Sequence, residues 1–180
     1  MTFPRALAEL SDAVAAIDPA AINAAAALIA RSGAIMAYGC GREALMLRGL
    51  VMRLHHLGLR ACMQGDMAAP PLGPGDLFLC SAGPGELSTV TALMHTARGA
   101  GAQVLFLTAE PGTPAASLAT QVLHVPAMTM ARDRATDTLL PMGSIYEGAL
   151  FLLFEILVLD LRDRLGETAA TMRARHTNME

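Results

Sequence analysis

Apolar residues run along this chain in two rhythms. Ala34 to Tyr38 make an unbroken apolar run that stops at Gly39-Cys40-Gly41, after which Leu45, Leu47, Val51, Met52 and Leu54 recur mostly at helical spacing. The pattern predicts a buried strand, a glycine turn and a helix. It repeats downstream as a strand over Leu77 to Ser81, a turn at Ala82-Gly83-Pro84-Gly85 and a helix over Glu86 to Arg98. Gly58 marks a helix stop, Arg60 to Met63 a short strand, and Gly65 to Gly75 a Gly/Pro-rich connection. Gln103 to Leu107 and Gln121 to Val125 read as two further strands, the first followed by a turn at Pro111-Gly112.

Ahead of the strands, Phe3, Leu7, Leu10, Val14 and Ile17 form an apolar stripe. It ends at Asp18-Pro19, a start signal for a second helix through about Arg31, which Ser32-Gly33 closes. Ile145 to Leu161 is nearly all apolar. The sum predicts one α/β domain over residues 1–180: N-terminal helices to residue 31, a five-stranded, mainly parallel sheet over 34–125, and a C-terminal helix with tail over 143–180. Pro126 to Pro141, polar in its middle, reads as a loop long enough to act as a lid or interface segment.

Two glycine turns at the ends of neighbouring parallel strands would share one crevice, where open α/β sheets take their ligands. Each turn also leaves amide hydrogens at a helix N-terminus without an intrahelical partner. Small-molecule chemistry is the expected function. At 180 residues and 53% hydrophobic content the chain suits a single domain. A net charge of -3 gives no footprint for nucleic acid. All 13 basic residues are arginine, which excludes a lysine Schiff base.

Cys40, Cys62 and Cys80 are odd in number and lack CxxC spacing, so neither a disulfide framework nor a cysteine zinc site is expected. A reducing compartment follows, with the cytoplasm as default. Glu9 and Asp12 interrupt the N-terminal apolar stretch and argue against a signal peptide. Glu147, Glu155 and Asp160 make the Ile145 to Leu161 run costly in lipid, so it is expected in the core or an oligomer interface rather than in a membrane.

Several motifs carry a likeness to a known family. GCGRE at Gly39 to Glu43, MRLHHLG at Met52 to Gly58, the PGDLFL entry to the third strand, AGPGE at its end, PMGSIYE at Pro141 to Glu147 and the tail MRARHTNME resemble the sugar isomerase (SIS) domain family, with the greatest likeness to 6-phospho-3-hexuloisomerases. The likeness covers nearly the whole chain. It implies a doubly wound five-stranded parallel sheet, a homotetramer, and interconversion of a hexulose phosphate with fructose 6-phosphate. No cofactor is implied.

Such an isomerase moves a proton between adjacent carbons through an enediol. It needs a base, a second group for the hydroxyl protons and a clamp for the phosphate. The resemblance puts the base at Glu147, whose pKa burial would raise; the plainer reading is a first-turn helix acid. It puts the second group at His176, provided the tail reaches a neighbouring subunit, with His56 as a secondary candidate and Ser144 near the substrate. His55 is expected in core or interface packing. His95 and His124 have no partners by spacing, so no metal is assigned.

The expected binding residues are Gly39, Gly41, Arg42, Glu43, Arg53, Ala82, Gly83, Gly85 and Glu86. Here the chain departs from the family, whose turns read G-x-G-R-S and S-G-S-G-E-T. Glu43, Ala82 and Pro84 stand in place of serines and Leu87 in place of threonine, and Pro84 brings no amide hydrogen. A carboxylate at 43 facing a phosphate would oppose binding by about 4 kcal/mol at about 4 Å and an effective dielectric of about 20. Arg42, Arg48 or Arg53 are candidates to offset it, and Ser81, Ser88 or Thr89 to supply a hydroxyl. Glu86 either orients a ligand hydroxyl or is a first-turn helix acid.

Three functions follow in order: an isomerase of the hexuloisomerase type, acting on a sugar phosphate or on a sugar whose anion lies elsewhere or is absent; a non-catalytic SIS protein binding a sugar derivative; and a dinucleotide binder. The last takes Gly39 to Ala44 as G-x-G-x-x-A, with Asp66 reaching a ribose hydroxyl.

Overall fold

The apolar runs form strands at Ala34–Gly39 (β1), Arg60–Met63 (β2), Leu77–Ser81 (β3), Gln103–Thr108 (β4) and Gln121–His124 (β5). The helices are Thr2–Ala15 (α1), Pro19–Ala30 (α2), Gly41–His56 (α3), Ser88–Gly99 (α4), Ser144–Leu165 (α5) and Ala169–Ala174 (α6), with a 3-10 turn at Pro114–Leu118. The computed structural model describes residues 2–132 and 138–179. The polar middle of the expected 126–141 loop, residues 133–137, lies outside the described residues.

All ladders are parallel, in the order β2-β1-β3-β4-β5. The order reverses between β1 and β3, so their carboxyl ends diverge and leave a crevice between the loops that follow. Asp76 ties the opposite ends together, accepting from the Ala34 amide at 2.7 Å and the Gly73 amide at 2.9 Å.

Because successive strand side chains point to opposite faces, each strand feeds two cores. Ile35, Leu77, Leu79, Leu105 and Leu107 pack with α2, α3 and α5 on one face, while Phe78, Cys80, Val104 and Phe106 pack with α4 on the other. Asp18 caps α2 by accepting from the Ala20 amide at 2.9 Å, with Pro19 in the first turn, as the sequence predicts. No single helix among the described residues is long and apolar enough to cross a membrane. The apolar run of α5 instead buries Tyr146, Leu150, Leu153, Leu157 and Leu161 against the core.

Three local expectations need correction. The helix after the second turn begins at Ser88 rather than Glu86, so Glu86 is not a first-turn acid. His55, expected in core or interface packing, is exposed in the single chain, which excludes the core. The C-terminal segment is two helices: Gly166, at φ 67°, ends α5, and Thr168 opens α6 by accepting from the Thr171 amide.

Candidate active site

At the crevice a cavity of about 530 Å³ opens between the first turn of α3, the loop after β3 and the N-terminus of α5. Its wall includes Cys40, Gly41, Arg42 and Glu43 from the first turn and Pro84 and Leu87 from the second. Met142 to Ser144, Tyr146 and Glu147 close it from α5, and Thr129 and Met130 from the segment after β5.

Glu147 sits in the first turn of α5, with its side chain only 16% exposed. Burial raises its pKa above the ordinary glutamate value, Arg42 draws it back down, and the charge of Glu43 pushes it up again. The Arg42 guanidinium bridges the site: it donates to Glu147 at 2.9 Å, to Ser144 Oγ at 3.0 Å and to the Met142 carbonyl at 2.6 Å. To present that carbonyl, Met142 takes a left-handed conformation, φ 56°, unusual for a residue with a side chain.

Glu43 does not project into open space. Its carboxylate accepts the Gly83 amide with both oxygens at 3.1 Å and the Ser81 hydroxyl at 2.5 Å. Ser81 Oγ in turn lies 3.1 Å from the hydroxyl of Tyr146, and both residues are fully buried. Burial raises the pKa of Glu43, with Ser81 and Gly83 opposing the shift, and burial followed by the charge of Glu43 holds the Tyr146 phenol well above its ordinary range.

Of the residues expected to bind a ligand, Gly41, Arg42, Glu43, Ser144 and Glu147 line this cavity, while Gly83 is buried behind it with its amide donated to Glu43. The others do not. A Cβ on Gly39 would lie 2.9 Å from Leu47 Cδ1, so that glycine lets α3 pack on β1. Gly85, at φ 90°, backs onto Glu110 and Thr113. Ala82 is buried in the α4-side core, and Glu86 is exposed outside the cavity wall.

Arg53 pairs with Glu155 at 3.2 Å and lines a different cavity of about 410 Å³, with His56, Arg162, Arg173 and His176. The rings of His56 and His176 stack there with centroids 5.1 Å apart. This second cavity lies along α5 beside Val158, about 16 Å from Glu147 by helical rise. Within one chain, His176 and Glu147 therefore do not share a site. Asp66 accepts from the Met63 amide at 2.9 Å in its own turn and lines neither cavity, so a dinucleotide fingerprint lacks its acid. No cluster of metal-binding side chains occurs among the described residues. The glycine-turn reading missed Ser81–Tyr146 as a pair and Thr129 altogether.

No protein-family model matches the chain. Curated relatives do: the 3-hexulose-6-phosphate isomerase of Mycobacterium gastri is 34% identical over 96% of this chain and 86% of its own length. The chain belongs to the 3-hexulose-6-phosphate isomerase family. The enzyme of that name from Bacillus subtilis is 30% identical over 97% of this chain and 95% of its own length. The fold of this family recurs in the crystal structure of a Methanococcus jannaschii protein for which a 3-hexulose-6-phosphate isomerase function has been inferred. Its TM-score is 0.84 at 19% identity, over 97% of this chain and 98% of that one. The five-stranded sheet is that of the SIS-domain sugar isomerases.

Proposed function

We propose that this member of the family isomerises a ketose through an enediol, with Glu147 as the base. The observation that carries the reading is the placement of Glu147 on the cavity wall with a raised pKa and one oxygen held by Arg42. Ionised, Glu147 takes the proton from the carbon beside the substrate carbonyl. The C–H electron pair becomes the C=C bond of the enediol while the carbonyl oxygen takes a proton from water. Glu147 returns its proton to the former carbonyl carbon, and the neighbouring hydroxyl gives up its own to water as the new carbonyl forms. Arg42 stands where it can balance negative charge on the enediol oxygens.

His176 enters this scheme only from another copy of the chain, which accords with a homotetramer. A second reading, non-catalytic binding of a sugar derivative, draws support from Glu43, whose carboxylate engages donors that an anionic substrate group would otherwise use.

Deuterium exchange tests the proposal: the chain is incubated with 3-hexulose 6-phosphate and with free ketoses in heavy water and followed by NMR. Wild-type protein incorporates deuterium at the carbon that exchanges roles with the carbonyl, and Glu147→Gln is slower by about a hundredfold to ten-thousandfold. Equal exchange in both proteins removes Glu147 as base. No exchange with any ketose favours the binding role.

A further inference from the structure

The two cavities along α5 are opposite in charge. On the wall of the first, Glu43 and Glu147 are acidic, and the basic side chain among the described residues there is Arg42, already serving Glu147, Ser144 and Met142. The second, towards the other end of the helix, is lined by Arg53, Arg162 and Arg173 with His56 and His176, and by no acidic side chain among the described residues. Arg53 is taken up by Glu155. Arg162 pairs with its neighbour Asp163, itself 71% exposed, a contact that water and salt leave weak. Arg173 makes no ion pair among the described residues.

Between the cavities the outer side of α5 is bare. Phe151, Leu152, Ile156 and Leu159 are exposed there, and Leu159 also lines the basic cavity. A face with an acidic hollow at one end and a basic hollow at the other is complementary to itself turned end for end, which is what a two-fold interface requires. The middle of the apolar stripe falls at Glu155, whose charge Arg53 meets, so two copies can approach there. By helical rise Glu147 stands about 12 Å before that point and Arg162 about 10 Å beyond it. Antiparallel pairing of two α5 helices, axes about 8–10 Å apart, therefore sets the partner's Arg162 at the level of Glu147.

We infer that the substrate is a phosphorylated ketose whose phosphate is held by Arg162 and Arg173 of a second copy, brought to the Glu147 cavity by antiparallel pairing of α5. Arginine forks match phosphate oxygens, and cations from across the interface balance the acids on the cavity wall. This deepens the isomerase reading and rests on the Glu147 cavity being the sugar site. It concerns binding, so it stands or falls separately from Glu147 as base.

Calorimetry with fructose 6-phosphate and light scattering on the full chain test it. Wild-type protein is expected to be an oligomer that binds the ester. Arg162→Gln combined with Arg173→Gln should bind it at least about tenfold more weakly at unchanged assembly and melting temperature, the loss of one or two charge-assisted contacts. Phe151→Glu with Ile156→Glu, which parts the copies, should lose the same affinity although its own basic cavity is intact. Mixing separates a clamp from the partner from one within the chain. Glu147→Gln and the double arginine variant, each slow alone in deuterium exchange of 3-hexulose 6-phosphate, should recover about a quarter of the wild-type rate when refolded together, because about a quarter of the two-fold-related sites then combine an intact Glu147 with intact arginines. A wild-type monomer, no binding of the ester by the wild type, or undiminished affinity in the arginine variant or in the parted chains overturns the inference. So does a mixture that recovers nothing. If Glu147→Gln exchanges as fast as wild type, the base is wrong and the binding results still decide the clamp.

Discussion

The guanidinium of Arg42 lies 2.9 Å from the carboxylate of Glu147 across the mouth of the cavity, joining the first turns of α3 and α5. Arg42 lowers the pKa of Glu147 while burial and the charge of Glu43 raise it. A base must be ionised to act, so the acid limb of kcat/KM should fall above the ordinary glutamate range. Arg42→Gln is expected to move that limb to higher pH, and Glu43→Gln to lower pH. A pH–rate profile in which both variants shift the same way would contradict this electrostatic arrangement.

Glu43 also links stability to pH. Its folded pKa is raised, so the native chain holds the proton more tightly than the unfolded one. Stability from this group is therefore fully present below the ordinary glutamate pKa and falls as pH rises to the folded value, after which it is constant. Glu43→Gln removes the dependence. Urea unfolding at several pH values should show the variant gaining on the wild type across that window; a difference independent of pH would mean the carboxyl titrates normally.

The two left-handed glycines of the turns should respond differently to alanine. At Gly85, φ is 90° and a Cβ would lie 2.6 Å from Glu110 Cβ and Thr113 Cγ2, so Gly85→Ala should destabilise by about 3 kcal/mol or more. At Gly41, φ is 57° and a Cβ would meet nothing within 4 Å. The conformational penalty alone remains, about 1–2 kcal/mol. Thermal melts of both variants check the contrast.

Along the outer side of α5, Phe151, Leu152, Ile156 and Leu159 are 56%, 38%, 49% and 47% exposed. A helix apolar on its outer side as well as its inner one calls for cover by another surface. The expected cover is a second copy of the chain. Light scattering should give an oligomer for wild type and smaller species for Phe151→Glu with Ile156→Glu; a wild-type monomer at micromolar concentration would also leave His176 without a shared site.

The strands were legible because β1, β3 and β4 are continuous apolar runs closed by glycine or a polar turn, the signature of strands buried on both faces. The short polar helix α6 has no such signature, since its identity depends on Thr168 and Thr171 capping each other. In the site, the glycine turns pointed to Gly41, Arg42 and Glu43. Arg53 could have been excluded by arithmetic, because three helical turns put it about 16 Å from Arg42. The direction of Glu43 was not legible, as it depends on the β1–β3 pairing that sets Gly39 opposite Ser81 and so brings Gly83 within reach of the α3 first turn. Thr129, in a segment with no period, gave no signal until its burial was seen.

Parallel pairing has a kinetic consequence. Ile35 pairs with Leu77 only after everything from α3 to the Gly/Pro-rich connection has been looped out, and no hairpin can seed that contact locally. The cavity lies above this ladder, so it comes into being late in folding, when the widest closure of the sheet is complete. A ligand added during refolding should therefore slow unfolding without hastening folding, and a chain halted before β3 leaves the ribosome would have no such cavity at all.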